Sequence, residues 1–292
     1  TWTNDYITLS DDCGATGAAT VTFTATDDCG NETSTTAQFI IIDTTIPTID
    51  SPAQDTLIQC DAADQLTLVN AWLANNGGAT ATDICDSDLE WTNEILNQSD
   101  DCGATSVITV QFTATDDCGN QSETTATFTI IDNTAPDITT IASDNTVECD
   151  GAGNTADVNA WLAANGGAAA TDDCSNITWS NDYIQLSDDC GATGFAFVTF
   201  TATDDCGNAS ETTAQFIIID TTAPSIDTAA GDETITCDAT SAALFQAWLA
   251  ANGNANASDI CGNVSWSNNY NNDISDDCGA TGAATVVFTA TD

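Results

Sequence analysis

Between Phe197 and Thr203, the residues Val198, Phe200 and Ala202 alternate with Thr199, Thr201 and Thr203. Further along, Ala214, Phe216 and Ile218 alternate with Gln215, Ile217 and Ile219. Apolar residues at every second position turn one side of a chain toward a core, so each run predicts a strand. Between them lies the turn-forming stretch DDCGN, Asp204–Asn208, which predicts an antiparallel hairpin. Upstream, Val158, Trp161 and Leu162 stand at helical i, i+3, i+4 spacing within DVNAWLAANGG. This predicts one short helix, with Asp157 as N-cap and Gly166 as its stop. Thr146–Cys149 and Ile177–Tyr183 read as further short strands.

The whole pattern recurs. FTATDDCGN occupies Phe23–Asn31, Phe112–Asn120 and Phe200–Asn208, and FTATD returns at Phe288–Asp292. Trp2, Trp91, Trp179 and Trp266 are spaced by 89, 88 and 87 residues; Cys13, Cys102, Cys190 and Cys278 by 89, 88 and 88. The helical pattern reappears at Val69, Trp72 and Leu73, and at Phe245, Trp248 and Leu249. Prolines in DTTIP (Asp43–Pro47), DNTAP (Asp132–Pro136) and DTTAP (Asp220–Pro224) mark the boundaries, because proline cannot continue a ladder. The expected domains are therefore 1–43, the C-terminal half of a repeat; 44–132 and 133–220, complete repeats; and 221–292, an incomplete one. A unit of about 88 residues exceeds a solenoid turn and suits a small β-sandwich with its own core.

Charge narrows the function. The chain carries 45 acidic side chains and no Lys, Arg or His, a formal charge of −45. Phosphate recognition needs basic residues, so nucleic acid is excluded as a partner, as is an anionic membrane surface. No apolar run approaches the ~20 residues of a membrane-spanning helix, so direct insertion is not expected. With 42% hydrophobic residues in short Val/Ile/Phe runs, the chain reads as folded despite its acidity. With no histidine or lysine as general base, and acidic pairs that recur at turns in every repeat, it reads as no enzyme.

Thirteen cysteines point to disulfides in an oxidising, extracellular setting, with buried thiols as the alternative. The absence of His and of any C-x-x-C pair argues against zinc. The strand between Cys190 and Cys206 spans roughly 33 Å, far beyond the ~5.5 Å of a bridged pair. Opposed Trp179 and Phe200 strands place Cys174 and Cys206 at one pole. That predicts Cys174–Cys206 and Cys149–Cys190 and, one repeat earlier, Cys85–Cys118 and Cys60–Cys102.

Acidic pairs stand beside cysteines at Asp172, Asp188 and Asp204. Calcium takes about six to eight oxygens, mostly from carboxylates and carbonyls. Asp132, Asp172, Asp204 and Asp205 form one candidate interdomain Ca²⁺ clamp. Asp43, Asp83, Asp116 and Asp117 form its counterpart one repeat earlier, and Asp220 and Asp259 its counterpart one repeat later. The alternative is ordinary turn chemistry, with these side chains bonding to nearby backbone.

Taken in order, TVTFTATDDCGN, DTTAP, VECDGAGN, NAWLAANGG and SDDCGATG resemble the SprB-type gliding-adhesin repeats of giant Bacteroidota cell-surface proteins, distantly akin to hyalin (HYR) repeats. The chain departs from the hyalin pattern in its single junction proline and its inserted helix. The resemblance implies a mainly β fold of tandem immunoglobulin-like β-sandwich repeats, each with one short inserted α-helix. It implies type IX secretion and display at the cell surface as a filament used in adhesion and gliding motility, this stretch being an internal window of the longer chain. Its expected partners are neighbouring repeats of the same chain, with surface polysaccharide or other cell-surface proteins beyond them. A carbohydrate- or protein-binding repeat module is the rival reading, favoured if Trp179 is exposed. By the same resemblance, the Asp-Thr-apolar pattern makes Thr44, Thr56, Thr221 and Thr228 candidate O-glycan sites, against plain linker threonines.

Overall fold

The computed structural model describes residues 1–275 and 281–292, so Cys278 lies outside the described residues. The chain divides into two compact units. One holds Thr1–Ala135 with the loops Asp172–Asn176 and Asp204–Asn208; the other holds Pro136–Thr171, Ile177–Thr203 and Ala209–Asp292.

The architecture is mainly β, in tandem β-sandwich repeats. In the 133–220 repeat, the alternating runs form the strands Gly194–Asp204 and Ala209–Ile219. They pair antiparallel from Gly194 opposite Ile218 to Thr203 opposite Ala209, the expected hairpin. Ile177–Asn181 flanks the first strand and Asn145–Glu148 the second, completing a four-stranded sheet. The Asn145–Glu148 edge is parallel to its neighbour, with Glu148 opposite Ile219. Its ladder continues one residue further, where the Cys149 amide donates to Ile219 O at 2.8 Å. The covering layer is a ribbon of Asp137–Thr140 with Ala169–Thr171, plus the helix Thr155–Ala163. The 44–132 repeat repeats this plan, with strands Thr56–Gln59, Gln121–Ile131, Ser106–Thr115 and Glu90–Gln98 in sheet order. Its helix is Gln65–Ala74.

Alternation decides the core. Val198, Phe200, Phe216 and Ile218 are at most 3% exposed, while the threonines between them face outward. The helix closes this face with its tryptophan. The Trp161 ring meets Phe200 edge-on at 5.1 Å and Phe216 at 5.4 Å. Its indole N–H donates to Ser143 O at 3.1 Å, so the ring is buried without orphaning its polar atom. Trp72 repeats the arrangement over Phe112 and Phe128 with a bond to Gln54 O, and Trp248 does so over Phe288 with a bond to Gly231 O.

Two local features differ from expectation or explain it. The helix N-cap is Asn154, not Asp157. Asn154 takes a left-handed conformation (φ 48°), is buried, and donates to both Glu148 O and the Asp157 carboxylate, at 2.9 and 3.0 Å. Asp157 sits in the first turn, where its charge suits the positive end of the helix dipole. Gly166 does end the helical segment, at φ 64°, and a Cβ there would meet Phe200 Cε2 at 2.9 Å. Glycine therefore lets the chain leave the helix directly over the core ring.

Trp161→Ala is expected to cost about 3–5 kcal/mol, as truncations of buried aromatics do. Trp2, 70% exposed, should cost under ~1 kcal/mol when truncated. Urea denaturation midpoints check both, and equal effects would contradict this core.

Candidate functional site

The candidate site is built where the loops at one end of a sandwich meet the preceding repeat. It begins with the DDCGN turn. Asp204 Oδ1 accepts from the Cys206 and Asn208 amides, both at 2.8 Å, and Oδ2 accepts from Asn208 Nδ2 at 2.7 Å. Gly207 turns the chain at φ 90°. Asn208 Nδ2 also donates to Asp132 O at 3.3 Å, tying the turn to the end of the preceding repeat. Asp116 and Asn120 repeat the arrangement, with Asn120 Nδ2 reaching Asp43 O at 3.5 Å. The second aspartate works differently. Asp205 Oδ2 accepts from the backbone and side-chain nitrogens of Asn176 at 3.3 and 3.2 Å, while the Asp117 amide donates to Asp86 Oδ2 at 2.7 Å.

The first aspartates are buried, at 5% exposure for both Asp116 and Asp204. Burial pushes the Asp204 carboxyl up, but donors from Asn208, Cys206 and Gly207 together hold it below the ordinary carboxylate value. The same opposition, with the same result, acts on Asp116.

Three of the four proposed clamp residues come together. Asp132, Asp172 and Asp204 present carboxylate oxygens within 4.8 Å of one another. One repeat earlier, Asp43 and Asp83 meet at the Cys85 thiol, and one repeat later Asp220 and Asp259 meet beside Cys261. Asp116, Asp117 and Asp205 are not brought into these groups among the described residues. Asp172 Oδ1 also holds its own loop, accepting from the Cys174 and Ser175 amides at 2.9 and 2.8 Å. Turn chemistry thus organises the loops, and the organised loops gather the charge. Asp83 Oδ2 and Asp132 Oδ2 are buried with no hydrogen-bond partner. An unpaired buried carboxylate oxygen is costly, and a bound cation removes the cost.

The disulfides correct the expected pairing. The bridges are Cys13–Cys118, Cys60–Cys174, Cys102–Cys206 and Cys149–Cys261, with Cα separations of 5.2, 5.7, 5.1 and 6.0 Å. Every one joins a repeat to the next. None of Cys174–Cys206, Cys149–Cys190, Cys85–Cys118 and Cys60–Cys102 forms, and Cys85 and Cys190 are thiols. Cys149 ends the parallel edge strand, whereas Cys190 leads into Gly194–Asp204, on the far side of Ala209–Ile219. Two strand spacings, roughly 10 Å, separate them, too far for a bridge. Cys206 sits in a turn fixed by Asp204, with its sulfur toward the Cys102 loop, 3.3 Å from Cys102 O. Cys174 lies at the same end but reaches the cysteine that closes the Thr56–Gln59 ladder.

Sequence reasoning missed the glycine that follows the cysteine in DDCGATG and in its variant DDCGATS, Asp100–Ser106. Gly103 has φ 55°, and a Cβ there would lie 2.7 Å from Cys174 O and 2.5 Å from Ser175 Cβ. The next amide, Ala104 N–H, donates to Cys174 O at 2.8 Å. Ala15 donates to Cys85 O and Ala192 to Cys261 O in the same way, at 2.9 and 2.8 Å. The signal was in the repeat, in a glycine after every such cysteine, but its contact lies in another repeat.

No protein-family profile matches the chain, and no curated protein matches it. Among solved structures, the chain is similar to Drosophila N-cadherin EC1-4, at 12% identity and TM-score 0.29, covering 71% of this chain and 58% of that one. It is also similar to human CDH23 EC21-23, at 14% identity and TM-score 0.30, covering 79% of this chain and 86% of that one. Mouse clustered PcdhgC3 EC1-3 gives 11% identity and TM-score 0.27, covering 72% and 79%. The chain thus spans little more than half of the N-cadherin fragment. Scores this low leave the fold to be read from the strands themselves.

Non-reducing peptide mapping should recover the four cross-repeat pairs, and a Cys174–Cys206 peptide would contradict the site. Asp204→Ala should cost about 1–3 kcal/mol at pH 7, the usual worth of hydrogen bonds to a charged group. Because the folded carboxyl titrates below its unfolded value of about 3.9, its contribution is present above that pH and lost as pH falls through the folded value. The gap between variant and wild type should therefore narrow below about pH 4. A gap constant from pH 7 to 2 would count against the assigned charge.

Proposed function

We propose that these repeats are stalk domains of a long secreted cell-surface filament, serving adhesion and gliding motility as the SprB-type resemblance implies, with secretion through a type IX system. The observation that carries this reading is the covalent stitching of each repeat to the next. A bridge across roughly 100 residues removes about 4–5 kcal/mol of unfolded-chain entropy, although overlapping loops do not add fully. Disulfides also fit an oxidising, extracellular location. The rival binding-module reading turned on an exposed tryptophan, and Trp179 and Trp91 are half-buried against their cores.

Calcium is the second element of the proposal. Asp132, Asp172 and Asp204 would hold one ion, and the Asp43/Asp83 and Asp220/Asp259 groups would hold its counterparts. The partnerless oxygens of Asp83 and Asp132 support this fit. When bound, the cation would neutralise clustered carboxylates that no side-chain cation in the sequence can reach. Thr44, Thr56, Thr221 and Thr228 are proposed glycan sites. Thr44, Thr221 and Thr228 are exposed, Thr56 is half-buried, and the Thr221 hydroxyl donates to Glu148 at 3.1 Å.

Two measurements test the proposal. In forced extension, Cys13–Cys118 and Cys149–Cys261 shunt residues 14–117 and 150–260 out of the load path. The oxidised chain should therefore lengthen to less than about half the reduced contour, at ~3.5 Å per residue; equal lengths would contradict a stitched stalk. Calcium at about a hundred times its Kd should stabilise the chain by about 2.7 kcal/mol per site, and EGTA should reverse the gain in Tm. Asp132→Asn should lose one site's share of that response, and a Tm insensitive to calcium in the parent chain would remove the ion from the proposal.

A further inference from the structure

Thr199, Thr201 and Thr203 face outward from Gly194–Asp204, and the same row continues as Phe197 and Phe195. These two phenylalanines are 72% and 37% exposed, with their rings edge-on at 5.7 Å. Half-buried Ile217, opposite Phe195, and Gln215, opposite Phe197, complete the patch. The matching positions in the 44–132 repeat are Val107 and Thr109, opposite Thr129 and Thr127. The fold therefore does not require two outward phenylalanines, and apolar surface left in water in this way marks a binding site. The sheet edge beside them is open as well. The strand Ile177–Asn181 ends there, and the chain returns to Gly194–Asp204 at two points. The Asp182 amide donates to Thr199 O at 3.3 Å, and Asp182 Oδ1 accepts from the Thr199 amide at 2.7 Å. The Ser187 amide donates to Phe195 O, and its hydroxyl accepts from the Phe195 amide, both at 2.8 Å. Between these points, Tyr183 and Leu186 pack on the core and Ile184 is 89% exposed. Bonding direction alternates along a strand, so the Phe197 N–H and C=O face the same edge as those of Thr199 and Phe195. Among the described residues they meet no partner there. In the 44–132 repeat this edge is closed, with Asn97 opposite Thr109.

We propose that the phenylalanine pair and the open edge together bind a neutral pyranose glycan. The exposed Phe197 ring offers a flat apolar surface to the C–H face of a sugar ring. Each sugar hydroxyl both donates and accepts, so two adjacent hydroxyls satisfy the Phe197 C=O and N–H. A polypeptide strand fits worse, because Asp182 and Ser187 close the edge on both sides and leave a single residue to pair. Charge selects further. Asp182 lies at this edge, Asp144 accepts from the Gln215 amide at 2.8 Å, and no basic residue exists to balance them. Uronic-acid and sulfated glycans are therefore repelled, and a second copy of this chain is disfavoured for the same reason. The site is separate from Trp179. It goes beyond the stalk reading and does not rest on it.

Affinity electrophoresis of the full chain tests the inference, in gels holding dextran, galactomannan or laminarin, with alginate as the acidic comparator. At least one neutral polymer should retard the chain, and alginate should not. Phe197→Thr, which gives this position the side chain found at Thr109, should weaken the apparent Kd about tenfold or more, as loss of a central aromatic contact does. Thr109→Phe should add no second site, because the edge there is closed. Both positions face water, and recovery of the four disulfides by peptide mapping checks that each variant folds. The inference is overturned if no neutral polymer retards the chain, if alginate retards it equally, or if Phe197→Thr binds like the parent. Added capacity in Thr109→Phe overturns it too, and so does a dimer of the parent chain that Phe197→Thr abolishes.

Discussion

Every contact in this chain is made without one attractive ion pair between side chains, because no lysine, arginine or histidine exists to form it. The carboxylates instead take their hydrogen bonds from backbone amides. Asp5, Asp55, Asp144 and Asp182 each accept from a strand amide, those of Thr22, Thr127, Gln215 and Thr199, at 2.6–2.8 Å. Asp27, Asp116 and Asp204 do the same inside the hairpin turns. A charged acceptor with neutral donors gains a strong bond but keeps its charge. The acidity therefore organises local structure while leaving each repeat repelling the next.

That repulsion accounts for where the cysteines are used. A disulfide inside a sandwich would reinforce a core already closed by Phe200, Phe216 and Trp161. A disulfide between repeats holds together what electrostatics pushes apart. The bridges also anchor at hydrogen-bonded points: Cys60 and Cys149 at the end of a parallel ladder, Cys118 and Cys206 in turns fixed by buried aspartates. Backbone bonds from Ala15, Ala104 and Ala192 add a non-covalent contact at each such meeting. Chemistry and packing thus act at the same loops.

Alternation at Val198–Ala202 and Ala214–Ile218 was enough to locate the hairpin and its inner face, because period two needs no knowledge of the partner. The helix was legible for a similar reason, with Val158, Trp161 and Leu162 on one stripe. Its cap was not, because Asn154 acts through a left-handed backbone and a bond to Glu148 O that spacing does not encode. The cysteine poles were legible from strand direction, but the pairing was not. Strand direction says which end a residue occupies, whereas a bridge depends on which loop of the adjoining repeat arrives there. Gly103 belongs to the same class, since its need for no side chain comes from Cys174 O in another repeat.

The doubled aspartate of DDCGN divides into two roles. The first residue, Asp204 or Asp116, is engaged by its own turn, which would be sufficient reason for an aspartate there. That engagement does not exhaust it, since a carboxylate has about four acceptor sites and Asp204 uses three of them. The turn also points Asn208 at Asp132 O, holding Asp132 near Asp172 and Asp204, while Asp132 Oδ2 is left buried and unpaired. Turn chemistry alone would favour moving that oxygen into water. Holding it inside a group of like charges is costly, a cost that the proposed cation would remove, so under that proposal the calcium joint would be built upon the local turn.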